Sequence, residues 1–127
     1  MPGVVPPIRI VACDDSPDFI ELLTHWLEDY DEIELVGTAE DERAAAQLVE
    51  AEQPDVIVSD AFRPGGNPEY LRTLRSVSPG SRLLLHTGYE AYQLAEAVTE
   101  LADMVVTKGF DEGDLIDGIR RLASDHG

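Results

Sequence analysis

Asp14, Asp15, Asp60, Thr87 and Lys108 are the residues of this chain whose types and placement suit them to chemistry. Each follows an apolar run: residues 8–13 stop on Asp14 and Asp15, 56–59 on Asp60, 83–86 on Thr87 and 104–107 on Lys108. If those runs are neighbouring parallel strands, three carboxylates, a hydroxyl and an ammonium meet at one sheet edge. Carboxylates brought that close repel, so some must protonate or share a cation. A hard divalent ion relieves the repulsion, and magnesium suits best, because it accepts a few carboxylates while keeping waters to exchange for phosphate. With Lys108 and Thr87 it can neutralise and orient the three oxygens of a phosphoryl group. A carboxylate in their midst can then be the nucleophile, and amides of the loop after Asp60 can add hydrogen bonds. Lys108 is the only lysine; the other eight basic side chains are arginine.

The elements that must position these residues follow from the alternation of short apolar runs with amphipathic segments, repeated five times. That is the pattern of a parallel sheet covered by helices on both faces. Ser16 can cap the first helix, Pro17 suits its first turn, and Phe19, Leu22, Leu23, Trp26, Leu27 and Tyr30 form its inward stripe, leaving His25 exposed. A second strand is expected over 33–37 and a second helix over 41–53, with Ala44, Ala45, Leu48 and Val49 inward. The Gly- and Pro-rich loop 61–67 leads to a third helix capped by Asn67 and opened by Pro68, with Tyr70, Leu71 and Leu74 inward. A fourth helix is expected over 90–101, carrying Leu94, Ala95, Val98 and Leu101. A fifth, capped by Asp111, buries Leu115, Ile116, Ile119 and Leu122. Right-handed crossovers then give an α/β fold: a doubly wound, flavodoxin-like, five-stranded parallel sheet of order 2-1-3-4-5 with five helices. In that order the chain reverses direction between strands one and three, opening a crevice at their carboxyl ends.

The 127 residues suffice for one domain, expected over 8–123 between tails at 1–7 and 124–127. A formal net charge of −17 repels a phosphate backbone, so direct nucleic-acid binding is not expected. A single cysteine, Cys13, excludes an internal disulfide and reads as a small buried hydrophobe. No stretch approaches the ~18 apolar residues of a membrane span, and residues 1–7 carry three prolines without the basic start of a secretory signal. A cytoplasmic protein is expected.

From residue 8 to about residue 122 the chain resembles the receiver domains of two-component response regulators. The likeness rests on an acidic pair after strand one, one aspartate after strand three, a Thr-Gly step after strand four and a lysine after strand five, with Pro64 four residues beyond Asp60. The resemblance implies that Asp60 takes a phosphoryl group from a histidine kinase or phosphotransfer protein. It implies that Asp15 ligates Mg2+ directly and Asp14 through water, with Asp60 and the backbone carbonyl of Phe62 completing the protein ligands. Thr87 would bond the phosphoryl group, and Lys108 would pair with it or, beforehand, with Asp60. The signal would be a conformational population shift read by an unidentified effector, or by a second copy in a phosphorylation-dependent homodimer.

Three positions depart from the family pattern. Arg63 replaces a methionine and would bind the phosphoryl group or face solvent, Gly109 replaces the proline after the lysine, and Val105 stands where a switching tyrosine or phenylalanine is usual. The switch would then fall to Thr87 with Val105, or to Tyr89 or Tyr92 in substitution. A degenerate receiver acting by protein contact without phosphate is the alternative. An aspartate-nucleophile phosphatase fits less well, since neither Asp14-Asp15-Ser16 nor Asp60-Ala61-Phe62 has two aspartates separated by one residue. A nucleotide- or flavin-binding module lacks its glycine- or hydroxyl-rich cradle, and His86 has no partner spaced for zinc.

Overall fold

Strand β1 (Ile8–Cys13) is nearly all apolar and is an interior strand of the sheet, with β2 (Ile33–Ala39) and β3 (Val56–Ser59) on its two sides. Strands β4 (Arg82–Thr87) and β5 (Met104–Thr107) extend the sheet beyond β3. In this computed structural model, which describes residues 6–109 and 112–124, all pairings are parallel and the order is β2-β1-β3-β4-β5, as the alternation of runs predicts. Strand β2 is two residues longer than expected. A register shift between Ile10 and Val11 lets it stay paired as far as Ala39.

The helices are α1 (Pro17–Glu28), α2 (Glu42–Glu52), α3 (Pro68–Val77), α4 (Glu96–Leu101) and α5 (Gly113–Ser124). Ser16 and Asn67 cap α1 and α3 as expected, accepting the amides of Phe19 and Glu69, while Asp41, expected as the first residue of the second helix, is its cap and accepts the Ala44 amide. One apolar layer, on the α2, α3 and α4 side, contains Val49, Leu71, Leu74, Leu83, Leu85 and Val98; the other contains Leu23, Leu27, Leu84, Leu115, Ile116, Ile119 and Leu122. Cys13 is buried and free, and burial pushes its thiol up to about 12.

Two expectations need correcting. Leu22 does not face the core but is 44% exposed, because 100° per residue carries it off the arc centred on Leu23 and Leu27. The fourth helix begins at Glu96 and not at residue 90, after a single 3-10 turn over Ala91–Gln93. No side chain caps it, and the Ala95 amide instead donates to the Gly65 carbonyl at 2.9 Å, while Leu94 turns into the core from outside the helix. The expected cap Asp111 lies outside the described residues, as do most of the expected tails; α5 retains Ser124. Among the described residues, no helix is long and apolar enough to cross a membrane.

Candidate functional site

The strand ladders carry the acidic residues to one edge. Pairing continues one residue past the strands: Asp14 N–H donates to Ala39 O at 2.9 Å, Asp60 N–H to Cys13 O at 2.7 Å, and Lys108 N–H to Thr87 O at 2.7 Å. Asp14, Asp60, Thr87 and Lys108 therefore leave the carboxyl ends of adjacent strands in step. Asp14, Asp15 and Asp60 each offer an oxygen within 4.8 Å of the others'.

Lys108 ties the cluster together. Its Nζ donates to Asp14 Oδ2 at 2.7 Å and to Asp60 Oδ1 at 3.2 Å. Asp60 was its expected partner, and Asp14 is the closer one. The ammonium also stands over the Phe19 ring, 4.3 Å from its centroid, where the ring face attracts a cation. Phe19 read as core alone in the sequence; only its nearness to Lys108, 89 positions away in sequence, gives it this second part.

Asp14 is buried, with Oδ1 accepting Ser16 N–H at 3.0 Å. Burial raises its carboxyl above the ordinary carboxylate range, against the pull of Lys108 and the Ser16 amide. For Lys108, burial acts downward, but Asp14 and Asp60 outweigh it and the net direction is up. Asp15 is exposed and Asp60 half-buried, its Oδ2 accepting Phe62 N–H at 2.9 Å. One ammonium against three carboxylates leaves negative charge uncompensated, so a hard divalent cation fits this donor set.

Phe62 has φ +68°, in the left-handed region that an aromatic residue rarely adopts. Thr87 is fully buried, and its Oγ1 accepts Tyr89 N–H at 3.2 Å. Val105 and Tyr89 are partly buried against the α2–α3–α4 side of the core, whereas Tyr92 is 84% exposed. Arg63 faces solvent, one of its two expected placements, and there it also pairs with Glu42, which accepts from Asn67 Nδ2 at 3.1 Å as well. Glu42 gave no signal beyond an acidic first turn of α2. His86 is buried beside Phe19, ring centroids 5.4 Å apart, and burial together with Lys108 lowers it to about 4.

A 2-1-3-4-5 parallel sheet with an acidic cluster and a lysine at its switch point places the chain in the flavodoxin-like class, which binds ligands at that edge. A family model described as the response regulator receiver domain matches residues 10–120, and the chain belongs to that family. It is 31% identical over 123 residues to protein-glutamate methylesterase/protein-glutamine glutaminase 2 of Burkholderia thailandensis, covering 91% of this chain and 35% of that one. Over 80 residues it is 39% identical to protein-glutamate methylesterase/protein-glutamine glutaminase 3 of Myxococcus xanthus, covering 62% and 22%. The chain thus spans only about a fifth to a third of the length of these curated relatives. Among solved structures it resembles a LuxR-family two-component response regulator from Aurantimonas sp. SI85-9A1, with TM-score 0.83, 28% identity and 94% and 86% coverage of the two chains. It also resembles the response regulator TrrA of Thermotoga maritima in complex with Mg2+-BeF, with TM-score 0.78, 27% identity and 90% and 97% coverage.

Proposed function

We propose that this receiver domain works in the cytoplasm and accepts a phosphoryl group on Asp60 from the phosphohistidine of a histidine kinase or phosphotransfer protein. The observation that carries the reading is the Lys108 ammonium held at 2.7 Å from Asp14 and 3.2 Å from Asp60, at the mouth of a three-carboxylate cluster. An Asp60 oxygen attacks phosphorus, the phosphorus–nitrogen bond breaks, and its electron pair returns to the donor imidazole. The product is an acyl phosphate on Asp60. Lys108 then turns its charge to the new oxygens, and Thr87 donates its hydroxyl to one of them.

Asp15, Asp60 and the Phe62 carbonyl would hold Mg2+ directly. Asp14 would reach it through water, since both its oxygens already accept, from Ser16 and Lys108. When bound, the ion supplies positive charge that draws the phosphoryl oxygens against the acceptor.

The acyl phosphate biases α4, β5 and α5 toward a second arrangement, which an effector or a second copy of the chain reads. A groove of about 620 Å3 between β5 and α5, lined by Val105, Thr107, Asp117 and Arg121 among others, is available on that face. A full reversal of populations takes about 5 kcal/mol of differential stabilisation, shared between phosphoryl contacts and the partner. Val105, aliphatic and half-buried, favours the second reading, a receiver acting by contact without phosphate.

Mass spectrometry after incubation with acetyl phosphate and magnesium separates the two. The expected result is one added phosphoryl group on wild type and none on Asp60→Asn. An unlabelled wild type, or equal labelling of the variant, refutes phosphate acceptance at Asp60.

A further inference from the structure

We infer that Tyr70, on α3 and outside the acidic cluster, is a positioning residue for the acceptor aspartate; this rests on the phosphoacceptor reading above. The regular ladders of β3 end at Ser59, so the peptide that carries Asp60 is held by the sheet only through its N–H. Its carbonyl is held from behind. Ser59 Oγ donates to Asp60 O at 2.9 Å, and the Tyr70 hydroxyl lies 2.8 Å from Ser59 Oγ in the buried layer.

The serine has one hydrogen, and it goes to the Asp60 carbonyl. With the serine hydrogen on the Asp60 carbonyl, Tyr70 donates to Ser59, and the chain runs from tyrosine to serine to acceptor peptide. Burial holds the Tyr70 proton in place by raising its release well above the ordinary phenol range. The Cys13 thiol, Ser59's neighbour in register on β1, lies against the same hydroxyl. Chained donors of this kind polarise one another in a buried layer.

A second contact acts on the next peptide but one. The Tyr70 ring meets the Phe62 ring edge to face, with centroids 5.5 Å apart and planes at 82°. Phe62 sits at φ +68°, a conformation that costs about 1–3 kcal/mol and persists only where surroundings hold it. That conformation aims Phe62 N–H at Asp60 Oδ2 and sets the direction of the Phe62 carbonyl. Tyr70 thus bears on the acceptor from both sides, by its hydroxyl through Ser59 on the Asp60 carbonyl and by its ring against the Phe62 ring, whose residue's amide meets Asp60 Oδ2.

Tyr70→Phe keeps the ring and removes the hydroxyl. Calorimetric titration with Mg2+ alone should show about three- to tenfold weaker binding, the scale of one buried hydrogen bond, and phosphorylation by acetyl phosphate should slow by a similar factor. Both are measured where circular dichroism shows every variant folded. Ser59→Ala, which leaves Tyr70 intact, should cause a comparable loss. Adding Tyr70→Phe to Ser59→Ala should then cost little more, because the hydroxyl acts through the serine. Unchanged Mg2+ affinity and labelling rate in Tyr70→Phe, or fully additive losses in the double variant, overturn the inference. A wild type that binds Mg2+ but takes no phosphate overturns the phosphoacceptor reading instead, and the positioning role with it.

Discussion

His86 and Asp14 lie in one neighbourhood yet titrate in opposite senses. Burial, helped by Lys108, lowers His86 from its ordinary 6.5 to about 4, so between those values the unfolded chain binds more protons. His86 therefore contributes stability above pH 6.5 that is lost as pH falls toward 4, roughly 3 kcal/mol in all. Asp14 is raised chiefly by burial, so its contribution is greatest in acid and is lost as pH rises through its folded value. Urea titrations without metal should show the stability of His86→Gln declining less than that of wild type from pH 6.5 to 4. Parallel slopes would mean that the ring is not buried neutral. The strand-end residues were legible in sequence because each closes an apolar run. Tyr70 was not: its place in a helical stripe announces burial, and nothing local to it names Ser59 as the group its hydroxyl meets. The solvent-facing placement of Arg63 was legible, but its partner was not, since Glu42 lies 21 positions away.

Between the third strand and the third helix, the loop 61–67 does more than connect. Arg63 and Asn67 fasten it to Glu42 at the start of α2. On the other side, Gly65 O accepts from Ala95, and Gly66, at φ +83°, leaves so little room that an added Cβ would stand 2.9 Å from Val98 of α4. The loop after Asp60 is thus in direct contact with α4 and the residue before it, independently of Val105. Gly66→Ala should lower stability by about 1–3 kcal/mol in urea, from backbone strain plus the displaced Val98. It should also alter hydrogen exchange at α4 more than at α5; exchange changed equally in both helices would deny that the contact acts on α4 in particular. Helix periodicity, with the caps Ser16 and Asn67, made three helices readable in advance. The start of α4 was not readable, because Leu94, Val98 and Leu101 keep helical spacing although Leu94 is outside the helix, its neighbour's amide captured by a residue 30 positions earlier.

Across the molecule, 26 acidic residues face 9 basic ones, and the self-repulsion of such a surface opposes compactness until salt screens it. Melting temperature should rise between about 0.02 and 0.3 M NaCl. Magnesium at matched ionic strength should raise it further, because ion binding at the carboxylate cluster adds to screening; identical curves would deny a specific site. The order of the sheet was legible because right-handed crossovers leave few ways to arrange five such units, whereas the charge balance carried no information about fold. The scarcity of lysine has a practical corollary. Reductive methylation with isotopically labelled formaldehyde preserves an amine's charge, and in this chain it would tag a single side chain, Lys108, whose Nζ is bonded to Asp14 and Asp60. One side-chain methyl resonance would then watch the cleft from its centre, with the amino terminus as the sole other signal.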